Sequence, residues 1–181
     1  KRDAMSEATQ EQRLTGAEDV IWDLSVFYSG LDDPKIQQDI DKLTQLVDDV
    51  QQRYKGKVAE MTAQDFVAAY EALEAIYDIR GRLGSFASLN FSTDTGNVQY
   101  QGFMQKMSEL GSQLSQKMVF FDLEWNQVDD AQAEKILNDP VLGKYRYYME
   151  ADRRYKPYNL TEPEEQIVIE KSVTGNGAWT R

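Results

Sequence analysis

The adjacent acidic pairs Asp32-Asp33, Asp48-Asp49, Asp129-Asp130 and Glu164-Glu165 are among the first residues in this chain whose types could do chemistry. Two carboxylates work as general acid and base when their environments separate their pKa values. Neighbours on a helix, however, point about 100° apart. Three of the four pairs also fall where helices are expected to begin, where acids cap exposed N–H groups and complement the dipole. All four are therefore read as caps or solvated faces. No metal-free alternative with histidine or cysteine exists, because the 181 residues contain neither. That excludes an H-E-x-x-H zinc site, Ser-His-Asp and Cys-His pairs, E-x-x-H di-iron bundles, disulfides, thiolate nucleophiles and iron–sulfur ligands. No catalytic residue and no metal ligand is assigned.

Two further groups could bind rather than react. Arg80 falls on the apolar stripe of a long helical pattern, one turn from Ile76, Leu83 and Gly84. A guanidinium there must find carboxylates or carbonyls, so Arg80 is expected to be a buried structural charge. Gly81, Gly84, Ser85 and Ser88 form a small-residue face beside it, suited to close approach of a neighbouring backbone. The second group interleaves Tyr145, Tyr147, Tyr148, Tyr155 and Tyr158 with Lys144, Arg146, Arg153, Arg154 and Lys156. A single-stranded nucleic-acid groove uses such a composition, but Glu150 and Asp152 dilute it, and the whole chain carries a net charge of −11 that repels phosphate backbones. No nucleic-acid partner is expected. Amphipathic tyrosines suit an interface, and Tyr145, Tyr148 and Tyr155 are taken as a peptide-facing or domain-facing surface.

The elements that position these residues read as helices throughout. Residues 1–18 are rich in Glu, Gln, Ser and Thr and are expected to be a flexible arm. Trp22, Phe27 and Tyr28 should pin a short docked segment. Ile36, Ile40, Leu43, Val47, Val50 and Tyr54 then recur at alternating spacings of four and three, the seam of a helix packed lengthwise. Asp32 or Asp33 caps it, Pro34 lies in its first turn, and Gly56 follows its end. Thr62 and Asp65 open a second helix carrying Phe66, Ala69, Leu73, Ile76, Leu83 and Ala87 to about Phe91. After the turn residues Ser92 to Asn97 comes a third, with Tyr100, Phe103, Met107, Leu110, Leu114 and Phe121 on one face. Shorter helices follow: one from Asp129 or Asp130 to Leu137, an aromatic one from Leu142 to Tyr155, and one behind the Thr161–Glu164 capping box bearing Ile167, Val168 and Ile169.

No segment alternates with period two, so the fold class is all-α: a bundle of long antiparallel helices over residues 19–128 and shorter helices over 129–181, without significant sheet. The longest apolar run, Phe66 to Tyr70, is far short of the roughly 20 residues of a membrane span, and no membrane association is expected.

With these residues laid out, the chain resembles the amino-terminal part of the oligoendopeptidase F family, the thimet-oligopeptidase-like zinc metallopeptidases. Trp22-Asp23-Leu24-Ser25 with Phe27-Tyr28 is similar to the family's opening. Ser92-Thr93-Asp94-Thr95 is similar to the junction of its second and third long helices, and Phe120-Phe121-Asp122-Leu123-Glu124 to the step ending the third. Leu160-x-Glu162-x-Glu164-Glu165, then Glu170 to Gly175 and Ala178-Trp179, completes the series. The resemblance implies a cytoplasmic enzyme that cleaves short peptides in a channel walled by helices. Its zinc would be held by an H-E-x-x-H pair and a downstream Glu, all outside this chain. The chain, opening on Lys1 and ending on Arg181, is then expected to be an inactive wall-forming piece whose partner is a catalytic domain beyond residue 181. Parted from that domain, it should expose an apolar face and self-associate. The rival reading is a free-standing helical protein-interaction scaffold.

Overall fold

The computed structural model describes residues 22–179; the arm expected over residues 1–18 lies outside them. Among the described residues every regular element is helical. Helix α1 spans Pro34–Tyr54. The Asp33 carboxylate caps it by accepting from the Lys35 N–H at 2.9 Å, and Pro34 holds the first turn. All six residues of its expected seam are buried. The helix stops because Gly56 takes a left-handed φ of 76°, which a residue with a Cβ resists. The Glu124 carboxylate accepts from the Gly56 N–H at 2.8 Å, fastening this corner to a later helix.

A short 3₁₀ turn, Val58–Glu60, leads to α2, Ala63–Thr93. Its expected capping box is in place: Thr62 Oγ1 accepts from the Asp65 N–H at 3.2 Å and the Asp65 carboxylate from the Thr62 N–H at 2.9 Å. Asn97 caps α3, Val98–Met118, after a tight turn, so α2 and α3 run antiparallel. The chain breaks at Val119, one turn before the expected end. Phe121 consequently lies in α4, Phe120–Gln127, instead of closing the third long helix.

Helix α4 is buried on nearly all sides by Phe120, Phe121, Leu123, Trp125 and Asn126. Phe66 meets Trp125 and Phe121 edge-on, with ring centroids 4.9 and 6.1 Å apart. The Trp125 indole N–H donates to the Met149 carbonyl at 3.1 Å, so burial leaves its polar atom satisfied. This aromatic knot joins α1 and α2 to the second half of the chain.

That second half departs from the sequence reading in one place. Helix α5, Asp130–Leu137, is capped by Asp129 as expected. The aromatic helix, however, does not begin at Leu142, which sits in a 3₁₀ turn closed by Gly143 at a φ of +51°. Helix α6 covers only Tyr145–Asp152, and Arg153–Tyr158 tightens into 3₁₀ geometry up to Pro157. Helix α7, Glu162–Thr174, opens with the Thr161–Glu164 box and lies along α3, where Ser112 Oγ donates to the Ile169 carbonyl at 3.4 Å. A short α8, Asn176–Trp179, ends the described chain. Helix α7 buries none of its residues; Ile167 and Val168 are more than half exposed.

The docked segment before α1 is pinned as expected by Tyr28 and by Phe27, which packs against the core, but not by Trp22. Tyr28 is buried, edge-on to Phe86 at 5.1 Å, with its hydroxyl donating to Asp39 at 2.7 Å. Trp22 is 75% exposed and pins nothing among the described residues.

Candidate functional site

The antiparallel α2–α3 pair leaves a groove on the side that α7 partly covers. Two hollows of about 430 Å³ and 190 Å³ share Arg80, Leu114, Ser115 and Ile169 as walls. The sequence placed a small-residue face here for tight crossing, and the structure corrects the reason. A Cβ added at Gly81 or Gly84 would meet no atom within 4 Å, so these glycines leave space instead of admitting a backbone. Gly111 across the groove does accommodate a neighbour: a Cβ there would lie 3.5 Å from Arg80 Nη2.

Arg80 is also corrected. Residues Ile76, Ile79 and Leu83 take the core side of α2, which leaves position 80 at the stripe's edge, exposed to the groove instead of buried. Its Nη1 donates to Ser115 Oγ at 3.1 Å. Among the described residues no carboxylate lies within ion-pair distance of it. The buried structural charge is a different residue, Arg153. Its side chain is 12% exposed and donates to the Trp125 and Val128 carbonyls at 2.8 and 2.9 Å. It also stacks over the Trp125 ring at 5.0 Å and pairs with Asp130. In the sequence Arg153 reads only as part of a basic run.

Asp122, the middle of α4's aromatic step, also lines the smaller hollow. It is half-buried and no described residue donates a hydrogen bond to it or pairs with it. Burial, then the nearby charge of Asp152, pushes its carboxyl up to about 7. Burial and Asp122 together raise the Tyr148 hydroxyl to about 12, and the same two causes raise Tyr77 while Arg80 opposes them. Asp122 was missed as a site residue. The available signal was an acid set directly between Phe121 and Leu123, two large apolar residues that call for burial on either side of it.

The three tyrosines expected to share one surface separate. Tyr145 is in the core, 9% exposed and stacked on Tyr70 at 5.1 Å, because its helix starts at that residue and turns it inward. Tyr148 lines the smaller hollow, edge-on to Tyr70. Tyr155 is 65% exposed on the 3₁₀ segment. The acidic pairs do cap and bridge: Asp33, Asp129 and Glu164 cap helices, Asp48 pairs with Lys117, and Asp130 with Arg153 and Lys156.

Chemically, the groove offers a cation, a carboxylate and hydroxyls without a nucleophile–base pair. Ser115 is already an acceptor of Arg80, and no imidazole is available to activate it. Binding is what this arrangement can do. For zinc the donor set does not fit: with no His or Cys, and no cluster of three or more acidic side chains among the described residues, nothing supplies its preferred tetrahedral N/S ligands.

Comparison with known proteins follows the same outline. The family model described as oligopeptidase F matches residues 124–181. The chain is 28% identical over 130 residues to oligopeptidase PepF of Bacillus subtilis (strain 168), covering 71% of this chain and 19% of that protein. It is 25% identical over 151 residues to the group B oligopeptidase PepB of Streptococcus agalactiae serotype III, covering 81% of this chain and 24% of that one. No solved structure matches. The chain is thus similar to the amino-terminal portion of the oligopeptidase F enzymes, and its matches span about a fifth to a quarter of the relatives' length.

Proposed function

We propose that this chain is the non-catalytic, amino-terminal helical part of a cytoplasmic, zinc-dependent oligoendopeptidase that hydrolyses short peptides in an enclosed channel. The observation that carries this reading is the conjunction of two facts. The oligopeptidase matches run along most of the chain, yet its 181 residues include no histidine from which an H-E-x-x-H could be made. The hydrolytic water, its activating Glu and the zinc then belong to polypeptide beyond this part. What the helices contribute is steric: a rigid wall, knotted by the Phe66–Trp125–Phe121 contacts, that keeps folded proteins from the scissile site. Helix α7 supports the role of a partner surface, since Ile167 and Val168 remain exposed on it.

The purified chain should not hydrolyse peptides, with or without added zinc. An assay with internally quenched peptides reads this directly. Turnover that is abolished by a chelator and co-purifies with the chain overturns the proposal.

A further inference from the structure

We propose that the smaller hollow walled by α2, α3, α4 and α6 binds a short zwitterion, a free amino acid or dipeptide, with its carboxylate on Arg80 and its ammonium on Asp122. Both charged groups line one hollow of about 190 Å³, yet they do not pair with each other. Arg80 spends one N–H on Ser115 and keeps the rest of its fork for another acceptor. Asp122 has no donor among the described residues. A half-buried carboxylate left in this state is costly, and a cation is the group that relieves it.

A hollow of about 190 Å³ limits the ligand to the size of an amino acid or dipeptide. Leu73, Ile76, Leu114 and Met118 supply an apolar floor for a side chain, and the Tyr77 and Tyr148 rings flank the opening. Two groups of opposite charge select against a blocked terminus at either end, because the blocked ligand leaves one of them desolvated and unpaired. The hollow's chemistry stands independently of any peptidase role. That the ligand is what peptide hydrolysis releases rests on the reading above.

Calorimetric titration of the 181-residue chain tests it with leucine and alanyl-leucine as probes, each also in N-acetylated and C-amidated form. One of the free zwitterions binds, its preference fixing the ligand's length. Either blocking group weakens it by about tenfold to a hundredfold, as does Arg80→Gln or Asp122→Asn, the loss of one charge-assisted hydrogen bond. Both variants sit on the groove, and unchanged circular dichroism shows that they fold. Binding that ignores the blocking groups, or no binding of either probe in the millimolar range, overturns the proposal. Neither result bears on whether the chain belongs to a peptidase, which the hydrolysis assay decides separately.

Discussion

Asp122→Asn should stabilise the chain at alkaline pH and do so progressively less as pH falls. The Asp122 carboxyl moves from its ordinary 3.8 to about 7 in the folded chain, driven first by burial and then by Asp152. A raised carboxyl means that the unfolded chain releases its proton near pH 4 while the folded chain keeps it until about pH 7. Folding stability therefore declines as pH rises through that interval and levels off above it. Each pH unit is worth about 1.4 kcal/mol, so the full interval sets an upper bound of about 4 kcal/mol. Water reaching the carboxylate through the groove brings this nearer to ~2 kcal/mol. The facing groups do not cancel it: Tyr70 and Tyr77 from α2 and Tyr148 from α6 are raised and stay neutral here, and Asp152 is itself raised and adds in the same direction. The lowered carboxylates Asp33, Asp65 and Glu164 lose their contribution only at acid pH, below the interval. Urea denaturation of the wild type and of Asp122→Asn at pH 5 and pH 8 reads the effect. The stability gap in favour of the variant should widen by about 1–3 kcal/mol between those pH values. Parallel profiles for the two proteins refute the placement of Asp122 in a half-buried, partnerless position.

Arg153→Met should destabilise the chain by about 2–4 kcal/mol, since it takes the Arg153 donor from the Val128 carbonyl and one of two donors from the Trp125 carbonyl, and parts Asp130 from its guanidinium. Arg80→Met should cost under about 1 kcal/mol in the same denaturation assay, because Arg80 is exposed and bonded to a hydroxyl alone. The isolated chain should self-associate through the apolar residues left open on and around α7, Leu160, Ile167, Val168 and Trp179. Light scattering across a concentration series checks this, and a strict monomer that binds no hydrophobic dye contradicts it.

The helices were legible because their signals are local. The four-three spacing of Ile36 to Tyr54, the Thr62–Asp65 and Thr161–Glu164 boxes and the Asp33 cap each lie within a few residues, and all are realised. What failed depends on contacts distant in sequence. The end of α3 at Val119 is decided by α4 turning its aromatic rings onto Phe66 and Tyr54, which no periodicity within the third helix records. Arg80 and Arg153 exchanged roles for the same reason. A stripe places a residue to within one turn, and at a helix edge that margin separates a core position from a groove. The carbonyls that bury Arg153 lie more than twenty residues away. Gly84 reads identically for a close crossing and for an open hollow; only the neighbouring helix tells which.

The gene that encodes this chain carries the decisive measurement: the nucleotide sequence downstream of the Arg181 codon. A reading frame that continues for several hundred codons and includes an H-E-x-x-H is the predicted result. A stop codon at that point, with the helical piece made as a protein of its own, contradicts the assignment of chemistry to polypeptide beyond it.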